Sequence, residues 1–184
     1  MEQSTLDYKC FLSGDPEGLC RIIRDYKDGL ILYLNTIVQN LTVAEELTED
    51  TFVKLVVKRP RFASASSFKT WLYAIGRNAA YSYLRCNKQI HIPLENCPEL
   101  TDAEEDLERR YILKERQKTL HNSMKKLKPE YCQVLWLIYF EGFSQKETAR
   151  ILGKTVHSVE TLVYRARQAL KTKLLEEGFI YEDL

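Results

Sequence analysis

No run of apolar residues in this sequence approaches the ~18 that a membrane-crossing helix needs, and the N-terminus carries no charged-then-apolar leader. Neither export nor membrane insertion is expected, and a cytoplasmic location is. Cysteine is sparse. Cys10, Cys20, Cys86, Cys97 and Cys132 make no CxxC pair and no Cys/His cluster at metal spacing. They read as reduced thiols of a cytosolic protein, with no metal site. His91, His121 and His157 stand in no nucleophile–His–acid arrangement.

The most informative absence is local. From Thr51 to Leu94 there is no Asp or Glu, against eight cations: Lys54, Lys58, Arg59, Arg61, Lys69, Arg77, Arg85 and Lys88. Phe62, Phe68, Trp71, Tyr73, Tyr81 and Tyr83 are interleaved with them. Cations hold phosphates, and aromatic faces accept unstacked bases at about 1–3 kcal/mol each. The same pattern also fits a surface helix whose aromatics are core.

Net charge is only +1, so the whole molecule is no general DNA coat. The charge is segregated instead. Residues 1–50 carry ten acids and four Lys/Arg, Glu95–Glu108 seven acids and no cation, and Ser144–Leu174 seven cations and two acids. Alternating blocks imply separate surfaces for electropositive and electronegative partners.

Read in order, the chain is helical throughout. Leu6–Leu12 makes a short helix, and Asp15-Pro16-Glu17 starts a long one that runs to about Gln39. Thr42–Glu45 reads as a capping box for a helix with an acidic face and an apolar one. Pro60 stops it. Ser66 or Ser67 caps the next, Phe68 to about Arg85, in which Phe68 and Trp71 read as core. Pro93, Pro98 and the acid run mark a linker. A helix resumes near Asp102 and runs to about Lys126, and Pro129 restarts another with Val134, Leu135, Ile138 and Tyr139 inward. Ser144–Glu147 is a second capping box, Gly153 suits a left-handed C-cap, and Thr155 caps a basic helix to about Leu174. A short helix, a tight turn with Gly and a longer basic helix predict a helix-turn-helix. The fold class is all-α: two small helical domains, a bundle and a helix-turn-helix, joined by an acidic linker. The boundaries are 1–88, 89–103 and 104–184.

Two nucleic-acid surfaces joined this way resemble the bacterial RNA polymerase sigma factors of the sigma-70 family, in the extracytoplasmic-function (group 4) class. AEELTEDTF resembles the acidic core-binding helix, FKTWLYAIGRNAAYSYLR the helix that binds the minus-10 element, and EGFSQKETARILGKTVHSVETLVYRARQAL the region 4 helix-turn-helix. The likeness covers roughly residues 6–88 and 104–175. It implies core RNA polymerase (its β′ coiled coil and β flap), promoter DNA and an anti-sigma factor as partners. It implies promoter recognition and DNA melting as the function, with no enzyme activity, no cofactor and no small-molecule substrate.

The resemblance also implies sites. Glu45, Glu46, Glu49 and Phe52 would meet polymerase; relatives often carry Gln at 49 and Asp at 43, where this chain has Glu and Val. Phe62, Ala63, Ser64, Ala65, Ile75, Arg77, Asn78 and Ser82 would hold a flipped minus-10 base. Glu160, Thr161, Tyr164 and Arg165 would approach minus-35 bases, with Lys154, Thr155, Ser158 and Arg167 on phosphates. Position 160 is often basic in relatives, so Glu160 implies a different minus-35 preference. Leu162 also replaces a residue that is often basic. Two other readings stay open at this point. A stand-alone helix-turn-helix regulator would need a dimerisation face or a receiver domain, and the first hundred residues show neither. A nuclease using Asp102, Glu104, Glu105 and Asp106 would need a scaffold around them, where solvated linker acids are the simpler reading.

Overall fold

The computed structural model describes residues 2–62, 66–87, 120 and 122–176. In the first domain, α1 (Gln3–Leu12), α2 (Pro16–Val38), α3 (Leu41–Lys58) and α4 (Phe68–Cys86) pack as a bundle. In the second, a helical turn at 122–125 precedes α5 (Pro129–Leu135), which continues as a π-helical segment, Trp136–Phe140. α6 (Gln145–Leu152) and α7 (Val156–Glu176) complete it. There is no strand among the described residues. The expected all-α, two-domain plan is the one observed. The expected linker at 89–103, and most of the helix expected from Asp102, lie outside the described residues.

Local chemistry sets most of the helix ends. The Asp15 carboxylate accepts the Glu17 N–H at 3.0 Å, and Pro16 sits at N1 of α2. Gln39 then turns left-handed at φ 52°, and the Asn40 side chain accepts the Val43 N–H at 3.2 Å. This corrects the capping box expected at Thr42–Glu45. The reversal after α2 is so tight that Asn40 reaches the orphan N–H first, and α3 starts at Leu41. Of the two serines before α4, Ser67 is the cap, 3.1 Å from the Thr70 nitrogen.

The bundle core holds Tyr8, Phe11, Ile22, Leu30, Leu34, Leu47, Phe52, Leu55, Phe68 and Leu72. Tyr8 ties α1 to the rest. Its ring lies 5.2 Å from Phe68 and 5.5 Å from Trp71, and its hydroxyl donates to the Pro60 carbonyl at 2.8 Å. Asp7 is buried beside it and accepts from Arg21 Nε at 2.7 Å and Gln3 Nε2 at 3.2 Å. The Arg21 hydrogen bond holds the Asp7 carboxyl below its usual range, against the opposing effect of burial.

The π segment corrects a second expectation. The Glu141 N–H reaches back five residues to the Trp136 carbonyl, at 3.1 Å. The wider turn rotates the side chains of the segment away from their α-helical positions. Val134 and Leu135 are buried as expected, but Tyr139 is 57% exposed. The two domains touch: α6 packs on α4, and α5 packs on α2.

Candidate nucleic-acid interface

In the second domain, the turn between α6 and α7 is built from caps. The Ser144 hydroxyl lies 3.3 Å from the Glu147 nitrogen, and the Glu147 carboxylate accepts the Ser144 N–H at 3.0 Å. Gly153 closes α6 in the left-handed conformation, φ 64°. The Thr155 hydroxyl accepts the Ser158 N–H at 3.2 Å and starts α7. Val159, Val163 and Ala166 are buried on one side of α7. That burial turns the other side outward.

All eight expected minus-35 residues lie on the outward side. Lys154, Thr155, Ser158, Glu160, Tyr164, Arg165 and Arg167 are exposed and Thr161 is half-buried. Helical spacing sorts those on α7 into two rows, Ser158–Thr161–Arg165 and Glu160–Tyr164–Arg167. The first row borders an open groove of about 380 Å³ whose far wall is Lys128, Glu130 and Tyr131 from the start of α5. His157 stands between the rows, its side chain 91% exposed and Nδ1 3.7 Å from Glu160 Oε2. His157 and Lys128 line the same groove and were not among the expected residues. A helical wheel of α7 centred away from Val159 and Val163 would have found His157. Lys128 comes from another element, and no local pattern marks it.

On α4, Ile75, Asn78 and Ser82 share a face by their spacing, and Trp71 continues it one turn earlier. Asn78 and Ser82 are exposed, and Ile75 is half-buried. Phe62 packs beside this face, 5.3 Å from the Trp71 ring and 5.8 Å from Phe68. Ala63, Ser64 and Ala65 lie outside the described residues. Arg77 is not with its expected companions. It turns to the neighbouring face, its guanidinium 4.4 Å from the Tyr81 ring and its Nε buried without a hydrogen-bond partner.

On α3, Glu45, Glu46 and Glu49 are exposed as expected, but Phe52 is 6% exposed and belongs to the core. The apolar side chains on the open face are Val53, Val56 and Val57, at 54%, 42% and 73% exposure. Acids thus occupy the N-terminal half of that face and valines the C-terminal half.

Residues 22–90 match the family described as Sigma-70 region 2, and residues 117–170 match Sigma-70, region 4. The chain is 32% identical over 161 residues to the RNA polymerase sigma factor YlaC of Bacillus subtilis (strain 168), covering 85% of this chain and 93% of that one. It is 26% identical over 170 residues to the ECF RNA polymerase sigma factor SigW of the same organism, covering 88% of this chain and 91% of that one. Among solved structures, it shares its fold with the sigma factor RpoE in complex with the anti-sigma factor NepR from Bartonella quintana. The TM-score is 0.67 at 23% identity, over 84% of this chain and 94% of that one. The chain belongs to the sigma-70 family of RNA polymerase sigma factors, in its extracytoplasmic-function class, the initiation factors that bring core polymerase to promoters.

Proposed function

We propose that α7 reads the minus-35 element in the major groove and that the Asn78 face of α4 captures a base of the melted minus-10 strand. The carrying observation is the outward display of all eight minus-35 residues on and just before a helix whose opposite side is buried. Arg165 then reaches guanine in a bidentate fork, Glu160 accepts from cytosine N4, and Lys154 and Arg167 hold phosphates. Extruding a minus-10 base costs a few kcal/mol. Phe62 offers it an apolar wall and Asn78 offers donors and acceptors to its edge. Ala63, Ser64 and Ala65 complete the capture loop by position.

The α3 face docks on the β′ coiled coil: Glu45, Glu46 and Glu49 steer, and Val53 and Val56 pack as the apolar anchor in place of the buried Phe52. The second domain takes the β flap. The domains run 1–88 and 104–184 about a linker at 89–103. The protein works in the cytoplasm, by binding rather than by catalysis of its own, and an anti-sigma factor restrains it. The solved relative bound to NepR supports that last reading, and no helix among the described residues is long and apolar enough to cross a membrane. Run-off transcription with core polymerase on a fragmented genomic template tests the whole. Discrete transcripts should depend on this protein and be lost in Asn78→Ala and Arg165→Ala variants. Transcripts indifferent to both substitutions would remove the residue assignments.

A further inference from the structure

The groove beside the first row of α7 holds charges of both signs. Lys154, just before α7, and Arg165 line one wall, and Lys128 and Glu130, at the start of α5, line the other. Glu130 is the one acid among the described lining residues. Its Oε1 reaches across the groove to within 3.8 Å of Lys154 Nζ. Lys128 stands beside it, Nζ 6.0 Å from the Tyr131 ring centroid. At about 380 Å³ the groove has room for a phosphodiester group and several waters, each of which takes about 30 Å³.

The pair across the groove contributes little to the fold. The side chains are 60% exposed for Glu130 and 36% for Lys154, and water screens exposed pairs. Glu130 also lies in the first turn of α5, where a carboxylate complements the helix dipole. That role needs only a position in the turn. It does not need a side chain aimed at a lysine on another element.

We propose that the groove seats one backbone phosphate of the promoter between Lys154 and Lys128, and that Glu130 competes with that phosphate for Lys154. This rests on the reading of α7 as the minus-35 helix. A phosphate oxygen held by Lys154 lies about 2.8 Å from Nζ, and so within about 7 Å of the Glu130 carboxylate. Two unit negative charges so placed in water repel enough to change a binding constant roughly threefold. The phosphate must also take Lys154 from its partner. Both effects act on the backbone and neither on the bases. Glu130 therefore lowers the sequence-independent part of binding and leaves base preference to Glu160, Thr161, Tyr164 and Arg165. The chain then spends less of its time on DNA that carries no promoter. Lys128 supplies the opposite wall of the seat from outside the helix-turn-helix.

Holoenzyme binding to two duplexes tests this: a promoter found by run-off transcription, and the same duplex with its minus-35 element scrambled. Affinities are compared between about 50 and 200 mM salt. Glu130→Gln should bind both duplexes about two- to fivefold more tightly at the low end, with a salt slope steeper by up to about 0.9. Its ranking of minus-35 sequences should stay as in the wild type. In a Lys154→Ala background the same substitution should gain much less, because no phosphate is held beside it. Lys128→Ala should loosen both duplexes and flatten the slope by about 0.9. Glu176→Gln removes the same charge at the far end of α7 and should change neither affinity nor slope. Damage to the fold would weaken binding, so a gain on removing Glu130 has no such origin. Unchanged or weaker binding by Glu130→Gln, an undiminished gain without Lys154, or an equal gain from Glu176→Gln would each overturn the competition. Unchanged binding by Lys128→Ala would overturn its place in the seat. Failure of the α7 reading would look different: Arg165→Ala would leave the minus-35 preference intact, whatever Glu130→Gln does.

Discussion

Replacing Gly18 by alanine sets two physical effects of opposite sign against each other. Gly18 lies in the first turns of α2. Helix propensity alone favours alanine there by about 1 kcal/mol. The packing opposes it. A Cβ on Gly18 would lie 2.2 Å from the Asp7 carbonyl oxygen and 3.0 Å from the Phe11 nitrogen, both backbone atoms of α1. No side-chain rotation relieves contacts with backbone, so α1 must shift by roughly an ångström. Overpacking of this kind costs about 1–3 kcal/mol, occasionally more. The displacement also pulls Tyr8 from its contacts with Phe68, Trp71 and the Pro60 carbonyl, and Asp7 from Arg21. The net expectation is a loss of about 2 kcal/mol after the propensity gain, or a melting point lower by roughly 8–16 °C for a domain this small. Because Pro60 precedes the residues proposed to capture a minus-10 base, minus-10-dependent transcription should fall as well. Thermal unfolding followed by circular dichroism decides it. An unchanged or raised melting point would show that α1 does not sit against α2 as described.

Arg165→Ala should cost about 1–3 kcal/mol of discrimination at one minus-35 base pair, seen as relaxed preference there in holoenzyme binding to a promoter panel. Arg167→Ala should instead weaken all promoters alike and reduce the salt slope by about 0.9. Glu160→Arg should change which minus-35 sequences are selected from a randomised template, with little effect on the minus-10 preference. Asp7 adds an acid limit to stability. Its folded pKa lies below the unfolded one, chiefly through the Arg21 hydrogen bond. Its contribution is therefore full above the unfolded value and lost as pH falls through the folded one, below about pH 4. Glu147 behaves alike: burial opposes ionisation, but hydrogen bonds from Ser144, Ser67 and Thr70 prevail and lower its pKa. Melting curves from pH 6 to pH 3 should show the decline, shallower in Asp7→Asn.

Helix existence was legible because it is written locally. The 3.6-residue apolar spacing of α2, the Asp15-Pro16 start, the Ser144–Glu147 box and Gly153 each act within one or two turns. What failed was what depends on a neighbour. Two helix-forming sequences meet at Gln39-Asn40, and which polar residue caps the second is decided by how sharply the first one ends. Tyr139 has the spacing of a core residue only if the helix stays α-helical, and the π turn at Trp136 breaks that count. The sites show the same division. The rows on α7 could be read from the residues that bury its other side. Arg77 could not be placed, because it turns to Tyr81, whose hydroxyl is bonded to Gln133 of the second domain. Nor could the contact of Lys69 and Tyr73 on α4 with Glu141 of the second domain be foreseen: the three are far apart in sequence, and each alone looks ordinary.

Phe52 and Val53 show how the role proposed for a helix can stand when the residue expected to anchor it lies in the core. The helix carries its acids, Glu45, Glu46, Glu49 and Asp50, on its second and third turns, so the steering charge is robust to a shift of one position. The apolar anchor is not, because neighbouring residues on a helix point about 100° apart. Phe52 is drawn inward, where a large aromatic side chain gains most from burial. The adjacent smaller Val53 is left outside with Val56 and Val57. If α3 docks on polymerase as proposed, charge at its N-terminal half acts at a distance and chiefly sets the rate of encounter, whereas the valines act only in contact and set the lifetime of the complex. Glu46→Gln should therefore slow association with polymerase most at low salt, while Val53→Ala should speed dissociation at any salt. If both substitutions changed the same rate constant in a stopped-flow titration, the two halves of this face would not divide the work as their chemistry implies.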